Sequence, residues 1–226
     1  MKAGDRLQKL VMTAVTDGVG PVTGSVAYAI SRLPKTATTH SFASGDSGAP
    51  PTIFSGAGGP DAEAAIRRII RESQLTAGSN GFLTGLGGFI TMPVSIPANV
   101  AGNLVINARM VGAIAYLRGY SLEDPFVRSM LPLVVAGSSA QSAAAALGLK
   151  VGEQLSRRAI AKVSVETIRS INKKVGFYLV AKYGTQRAAF TLTKVVPGVS
   201  ALVGGAIDAT LTTSIGKVAK RVFPIS

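Results

Sequence analysis

Apolar positions recur at helical spacing along most of the chain, and Pro and Gly cut that pattern into segments. Leu7, Leu10, Val11, Ala14 and Val15 form one stripe, closed by Gly18 and Gly20-Pro21, and a short helix is expected over 25–32. The run Gly59-Pro60-Asp61-Ala62-Glu63 marks a helix start, because Pro suits the first helical position and acids suit the positive end of the helix dipole. Ile66, Ile69, Ile70 and Leu75 are expected to form its buried face, Arg67, Arg68 and Arg71 its solvated face, and Gly78 its stop.

No charged side chain occurs from Ser73 to Ala108, a length that raises the question of a membrane span. Nine large apolar residues between positions 82 and 100 favour insertion by about 4 to 5 kcal/mol. Gly85, Gly87 and Gly88 offset this by about 1 kcal/mol apiece, and Pro93 and Pro97 break backbone pairing. Lengthening the window brings in Asn99, Asn103, Asn107 and then Arg109. The expectation is a broken pair: a Gly-rich helix to about Met92, a Pro-bounded turn, and a second helix over 98–118. Spaced four apart, Asn99, Asn103 and Asn107 make one polar ridge on that helix. The ridge suits a solvent-facing edge, a buried hydrogen-bond network or a ligand lining.

Ser121-Leu122-Glu123-Asp124 resembles a capping box with Pro125 in the first turn, opening a helix through Val127, Met130, Leu131 and Val134 to Gly137. Small residues dominate 138–147, as in a helix that others approach closely. Over 150–175 the pattern is a basic amphipathic helix, with Arg158, Lys162, Arg169 and Lys173 on one side. A last apolar helix is expected over 195–223, beginning near Pro197. It carries a small-residue ridge of Gly198, Ala201, Gly205, Ala209, Thr212 and Gly216.

These segments predict an all-α fold, a single multi-helix domain with Gly/Pro-broken apolar helices. Residues 1–33 read as an N-terminal helical segment, 34–59 as a flexible linker rich in Ser, Thr, Gly and Pro, and 60–226 as the helical domain.

Composition adds a surface to this architecture. The net charge is +13 although only 15% of residues are charged and 47% are apolar. Residues 150 to 226 hold 13 Lys and Arg against Glu153, Glu166 and Asp208, so +10 of that charge lies in the C-terminal third. Such a surface seeks polyanions. Tryptophan is absent, aromatics are 6% and are not interleaved with the basic residues, which speaks against nucleic acid and for an anionic membrane surface or lipid. Arg158, Lys162, Arg169 and Lys173 are the candidate lipid contacts. Lys2, Asp5, Arg6, Lys9 and Asp17 interrupt any secretory signal, so the expected location is cytoplasmic, peripheral to the inner face of the cell membrane.

Candidate chemistry is sparse. There is no cysteine, and a lone His40 builds no metal site without a partner chain, so neither a metal site nor a cofactor is expected. Gly45-Asp46-Ser47-Gly48-Ala49-Pro50 superficially resembles a protease nucleophile loop, but it lies in the linker, without the rigid frame and distant His and Asp that such chemistry needs. Neither a Gly-x-Ser-x-Gly elbow nor a phosphate loop occurs. Asp208 sits among apolar neighbours. It is expected either to form a buried ion pair with Arg109 or to lie exposed on the polar side of its helix.

Three blocks taken together resemble the EcsC family of bacterial proteins: Gly85 to Pro93 with the second Pro97; Ala108-Arg109 through Tyr116 to Gly119-Tyr120 before an acidic turn; and Val196-Pro197-Gly198 followed by Gly204-Gly205-Ala206 and Asp208. The resemblance covers about residues 60–223. It implies an α-helical domain linked to membranes or transport, the family being named through association with an ABC-transporter operon. It implies no established reaction and carries over no catalytic residue. One departure is Ser95, near which the family pattern is expected to have an aspartate.

The function expected is therefore a non-enzymatic, membrane-associated or lipid-binding helical protein, which the resemblance links to membrane transport. Two alternatives are a hydrolase acting on a lipid-like substrate, with Asp208, Glu123, Asp124 or His40 as acid or base, and an interaction module docking on a membrane-protein partner.

Overall fold

The computed structural model describes residues 3–35, 54, 56–78, 98–137, 164–192 and 199–225. Among them the chain forms α1 (Ala3–Thr16), β1 (Gly18–Val19), β2 (Val22–Thr23), α2 (Ser25–Ile30), α3 (Pro60–Gly78), α4 (Ala98–Leu117), α5 (Pro125–Val135), α6 (Val165–Leu192) and α7 (Val199–Val222). The fold is all-α, the only strands described being a two-residue antiparallel hairpin pairing Gly18 with Thr23 and Val19 with Val22.

Among the described residues α4 is the central helix. From Ala101 to Leu117 every described side chain is buried except the half-buried Asn103 and Arg109, as expected of a helix surrounded on all sides. α1, α2, α3, α5 and α7 pack around it, and α6 lies across α1 and α5. Two contacts fix α7 parallel to α4: Asn103 meets Asp208, and Arg118, just past α4, meets the carbonyls of Lys220 and Phe223. α3 runs antiparallel to α7, since Glu63 pairs with Lys220 while Ile70 packs on Gly216.

The N-terminal segment is part of this core. Leu7, Leu10, Val11, Ala14 and Val15 are buried in the same apolar cluster as α4, α5 and α7. At Gly112 a Cβ would fall onto the Ser25 side chain, so α2 touches the backbone of α4 itself.

Several local expectations change. α5 is capped by Asp124, whose Oδ1 accepts from the backbone N–H groups of Phe126 (2.8 Å) and Val127 (3.1 Å), and Pro125 opens the helix. Ser121 only accepts from Glu123 N. Asp124 wins because Pro125, having no N–H to bond, suits the first helical position directly after the cap. Leu75, expected in the core, is 67% exposed, since α3 turns its Ile66 and Ile69 inward. The helix expected to close at Val175 continues as α6 through Gly176. A Cβ at Gly4 would lie 2.9 Å from the Gly176 backbone, so the glycine lets α1 and α6 close together, offsetting the roughly 1 kcal/mol it costs a helix interior.

Gly119 (φ 81°) and Gly137 (φ 75°) occupy the left-handed conformation that ends α4 and α5. The expected Gly-rich helix to about Met92 and its Pro-bounded turn, the small-residue stretch 138–147, and most of the linker with His40 and Gly45 to Pro50 lie outside the described residues.

Candidate functional site

A polar seam runs between α4 and α7. Asn103 Nδ2 donates to Asp208 Oδ2 at 2.9 Å. One turn further on each helix stand Asn107 and Thr212, at 2% and 0% exposure. Asn107 Nδ2 donates back to the carbonyl of Asn103, while its Oδ1 and the Thr212 Oγ1 are buried without a partner. The Tyr183 hydroxyl reaches the same place from α6 and donates to the carbonyl of Val135 at 3.2 Å, an oxygen that also accepts from Lys182 Nζ at 3.1 Å.

Low dielectric governs the ionisable groups here. Burial raises the Asp208 carboxyl, with the Asn103 hydrogen bond opposing. Burial also raises the Tyr183 phenol, and the charge of Asp208 adds to it, with Asn107 acting the other way. Burial lowers Lys182 to about 8. The seam therefore retains a proton on Asp208 to higher pH than water would.

Arg109 is not the partner of Asp208. The two side chains form no ion pair; Asp208 takes Asn103, and the Arg109 guanidinium lies over the Tyr28 ring at 3.9 Å. With about 3.6 residues per turn, Asn103 and Arg109 point about 120° apart around α4. α7 lies along the first side and α2 along the second.

The Arg109 side has its own polar cluster. Glu72 of α3 accepts from Tyr28 (3.1 Å) and Arg32 (2.6 Å) on Oε2 and from Arg68 (2.8 Å) on Oε1. Burial works to raise the Glu72 carboxyl, but hydrogen bonds from Arg32 and Arg68 outweigh it and hold it below the usual range. Burial pushes Arg109 down; Tyr28 and Glu72 resist, and neighbouring Arg32 adds to the fall.

The remaining predicted residues divide. Asn99 lies at the start of α4, its side chain outside the described residues, so the ridge is seen only at Asn103 and Asn107. Arg158 and Lys162 also lie outside, whereas Arg169 and Lys173 are exposed on α6. They belong to a run at four-residue spacing, Val165, Arg169, Lys173, Phe177 and Ala181, every member exposed, with Phe177 at 71%. Lys174 and Val180 lie beside it, also exposed.

Sequence reasoning missed Tyr28, Glu72, Lys182 and Tyr183. A trace of Glu72 was available in its helical spacing from Arg68. Nothing local marks the other three, because their partners are 44 to 48 positions away.

Among the described residues no helix is long and apolar enough to cross a membrane, and no group of three or more His, Cys, Asp or Glu is placed to hold a metal ion. The arrangement is that of an all-α protein whose central helix carries polar groups on two faces. The chain belongs to the EcsC protein family, which it matches over residues 60–225. None of the curated proteins and none of the solved structures matches it.

Proposed function

We propose that this chain is a non-enzymatic protein that attaches peripherally to an anionic membrane surface through the outward face of α6. The observation that carries the reading is Phe177, 71% exposed and flanked by Lys173 and Lys174 on a helix whose inner face is anchored by Ile171, Val175 and Leu179. An exposed aromatic ring among cations suits the headgroup boundary, where the ring leaves water and the cations meet anionic lipid. Arg169, Lys173 and Lys174 contribute about 1 kcal/mol each near such a surface. The only acid on the described part of α6 is Glu166, in its first turn.

Flotation with vesicles tests this. Wild-type protein is expected to float with phosphatidylglycerol vesicles and not with phosphatidylcholine alone, and less so at high salt. A variant carrying Arg169→Gln, Lys173→Gln, Lys174→Gln and Phe177→Ser is expected to stay at the bottom. Absence of wild-type binding to both vesicle types would defeat the proposal.

A second reading, a hydrolase acting on a lipid-like substrate, is favoured by the half-buried Asp208 held by an amide at 2.9 Å. It would use Asp208 as acid. Hydrolysis of a short-chain ester that disappears in Asp208→Asn would establish it in place of the first.

A further inference from the structure

The Tyr28 cluster stands apart from α6 and from the membrane reading, and its charges do not balance. Arg32, Arg68 and Arg109 face a single carboxylate, Glu72. Both Glu72 oxygens are already taken, by Arg68 on one side and by Arg32 and Tyr28 on the other. Arg109 is left with the face of a tyrosine ring, shared with Arg32, whose guanidinium carbon stands 4.9 Å from the same centroid. Its Nε is buried with no hydrogen-bond partner.

This differs from the Asp208 seam in one decisive respect. A half-buried carboxylate without a cation relieves itself by taking a proton, whereas an arginine does not lose its proton in the working range of proteins. A ring face stabilises a guanidinium but brings no negative charge. A second buried polar group lies in the same cluster: Ser73, beside Glu72 on α3, is 2% exposed. It lies within reach of Tyr28, the ring on which Arg109 is stacked. An unpaired guanidinium beside a second arginine on the same ring is a donor set in search of acceptor oxygens.

We infer that the cluster formed by Arg109, Tyr28 and Arg32 binds a phosphate-type oxyanion, either a free phosphate or the headgroup of a phosphomonoester lipid. The excess of two positive charges matches a dianion. Arg109 would hold it through its planar fork, with Arg32 as the second charge. Because Glu72 is held by three donors, its charge is largely answered before the oxyanion arrives.

The test is titration of the full-length chain with inorganic phosphate at fixed ionic strength, following the Tyr28 ring signals by NMR and the thermal midpoint. Saturable movement of Tyr28 with phosphate, and none with chloride, is expected. Arg109→Lys keeps the charge but loses the fork and the stacking, so it should bind about tenfold more weakly or worse. Tyr28 signals that stay still in wild-type protein would overturn the site, as would equal phosphate affinity in wild type and Arg109→Lys. Should Arg109→Lys fail to fold, the wild-type Tyr28 titration decides alone. The source is separated with the α6 variant described above: retained binding to phosphatidic acid vesicles that inorganic phosphate displaces assigns a lipid headgroup, and phosphate binding without vesicle binding assigns a free phosphate. Loss of vesicle binding in the α6 variant, with Tyr28 unmoved by phosphate in wild type, would remove this site and leave the membrane reading standing.

Discussion

Arg118 and Glu63 meet at 2.7 Å where α4 ends and α3 begins, with side chains only 8% and 18% exposed. The other Nη of Arg118 donates to the carbonyls of Lys220 and Phe223 at the end of α7, so one guanidinium ties three helices. Removing one partner strands the other in low dielectric. Arg118→Met is therefore expected to lose about 3 kcal/mol, at the low end for a buried pair because Lys220 remains on Glu63. Urea unfolding measures it; a loss below about 1 kcal/mol would make the contact a surface-type pair.

Asp208 should make folding worse as pH rises. Burial raises its carboxyl in the folded chain, so the unfolded chain gives up that proton first, and stability falls as pH climbs from the ordinary aspartate value through the folded one. Asp208→Asn keeps an acceptor for Asn103 and abolishes that term. The variant is expected to have the higher thermal midpoint near neutral pH, with the advantage vanishing in acid. Equal midpoints at both pH values would show that Asp208 titrates as in water.

Lys182 acts in the opposite direction and in another window. Burial brings it to about 8 from 10.5, so between those values the unfolded chain holds the extra proton and stability rises with pH. Above about 10 the buried phenols turn the curve down, Tyr116 being raised to about 12 by burial. In Lys182→Met the rise between about pH 8 and 10 should flatten, which denaturant titration at several pH values would reveal.

Gly112 lets α2 seat on α4. A Cβ there would meet the Ser25 side chain, with Val15 Cγ1 at 3.1 Å closing the other side. Gly112→Val is expected to cost about 2 kcal/mol or more as an overpacking change. In hydrogen exchange, amides of α1 and α2 should lose protection before those of α5. Uniform loss over all helices would mean that the N-terminal helices do not open separately.

Local pattern was sufficient for much of this architecture. α1 buries the five residues of its apolar stripe, and α4 spans Ala98–Leu117, within one residue of its expected end. Periodicity, proline and glycine carry such information within a few turns of chain. The pairing of polar groups was not legible, because it depends on how helices distant in sequence rotate against each other. Asn103 and Asp208 meet across 105 positions. Scarcity of charge alone pairs Arg109 with Asp208, whereas in the fold the Tyr28 ring of the N-terminal segment takes the guanidinium. Arg118 escaped notice for the same reason: its acid lies 55 positions back.

Residues 3–33 cover α4, yet the family match begins at residue 60. The shared part of the family thus receives, in this chain, an apolar lid delivered in cis. A tethered lid closes at an effective concentration set by the intervening chain, independent of how much protein is present. Crowded refolding pits that lid against the identical lid of a neighbouring copy, and the outcome is a contest between self-closure and exchange.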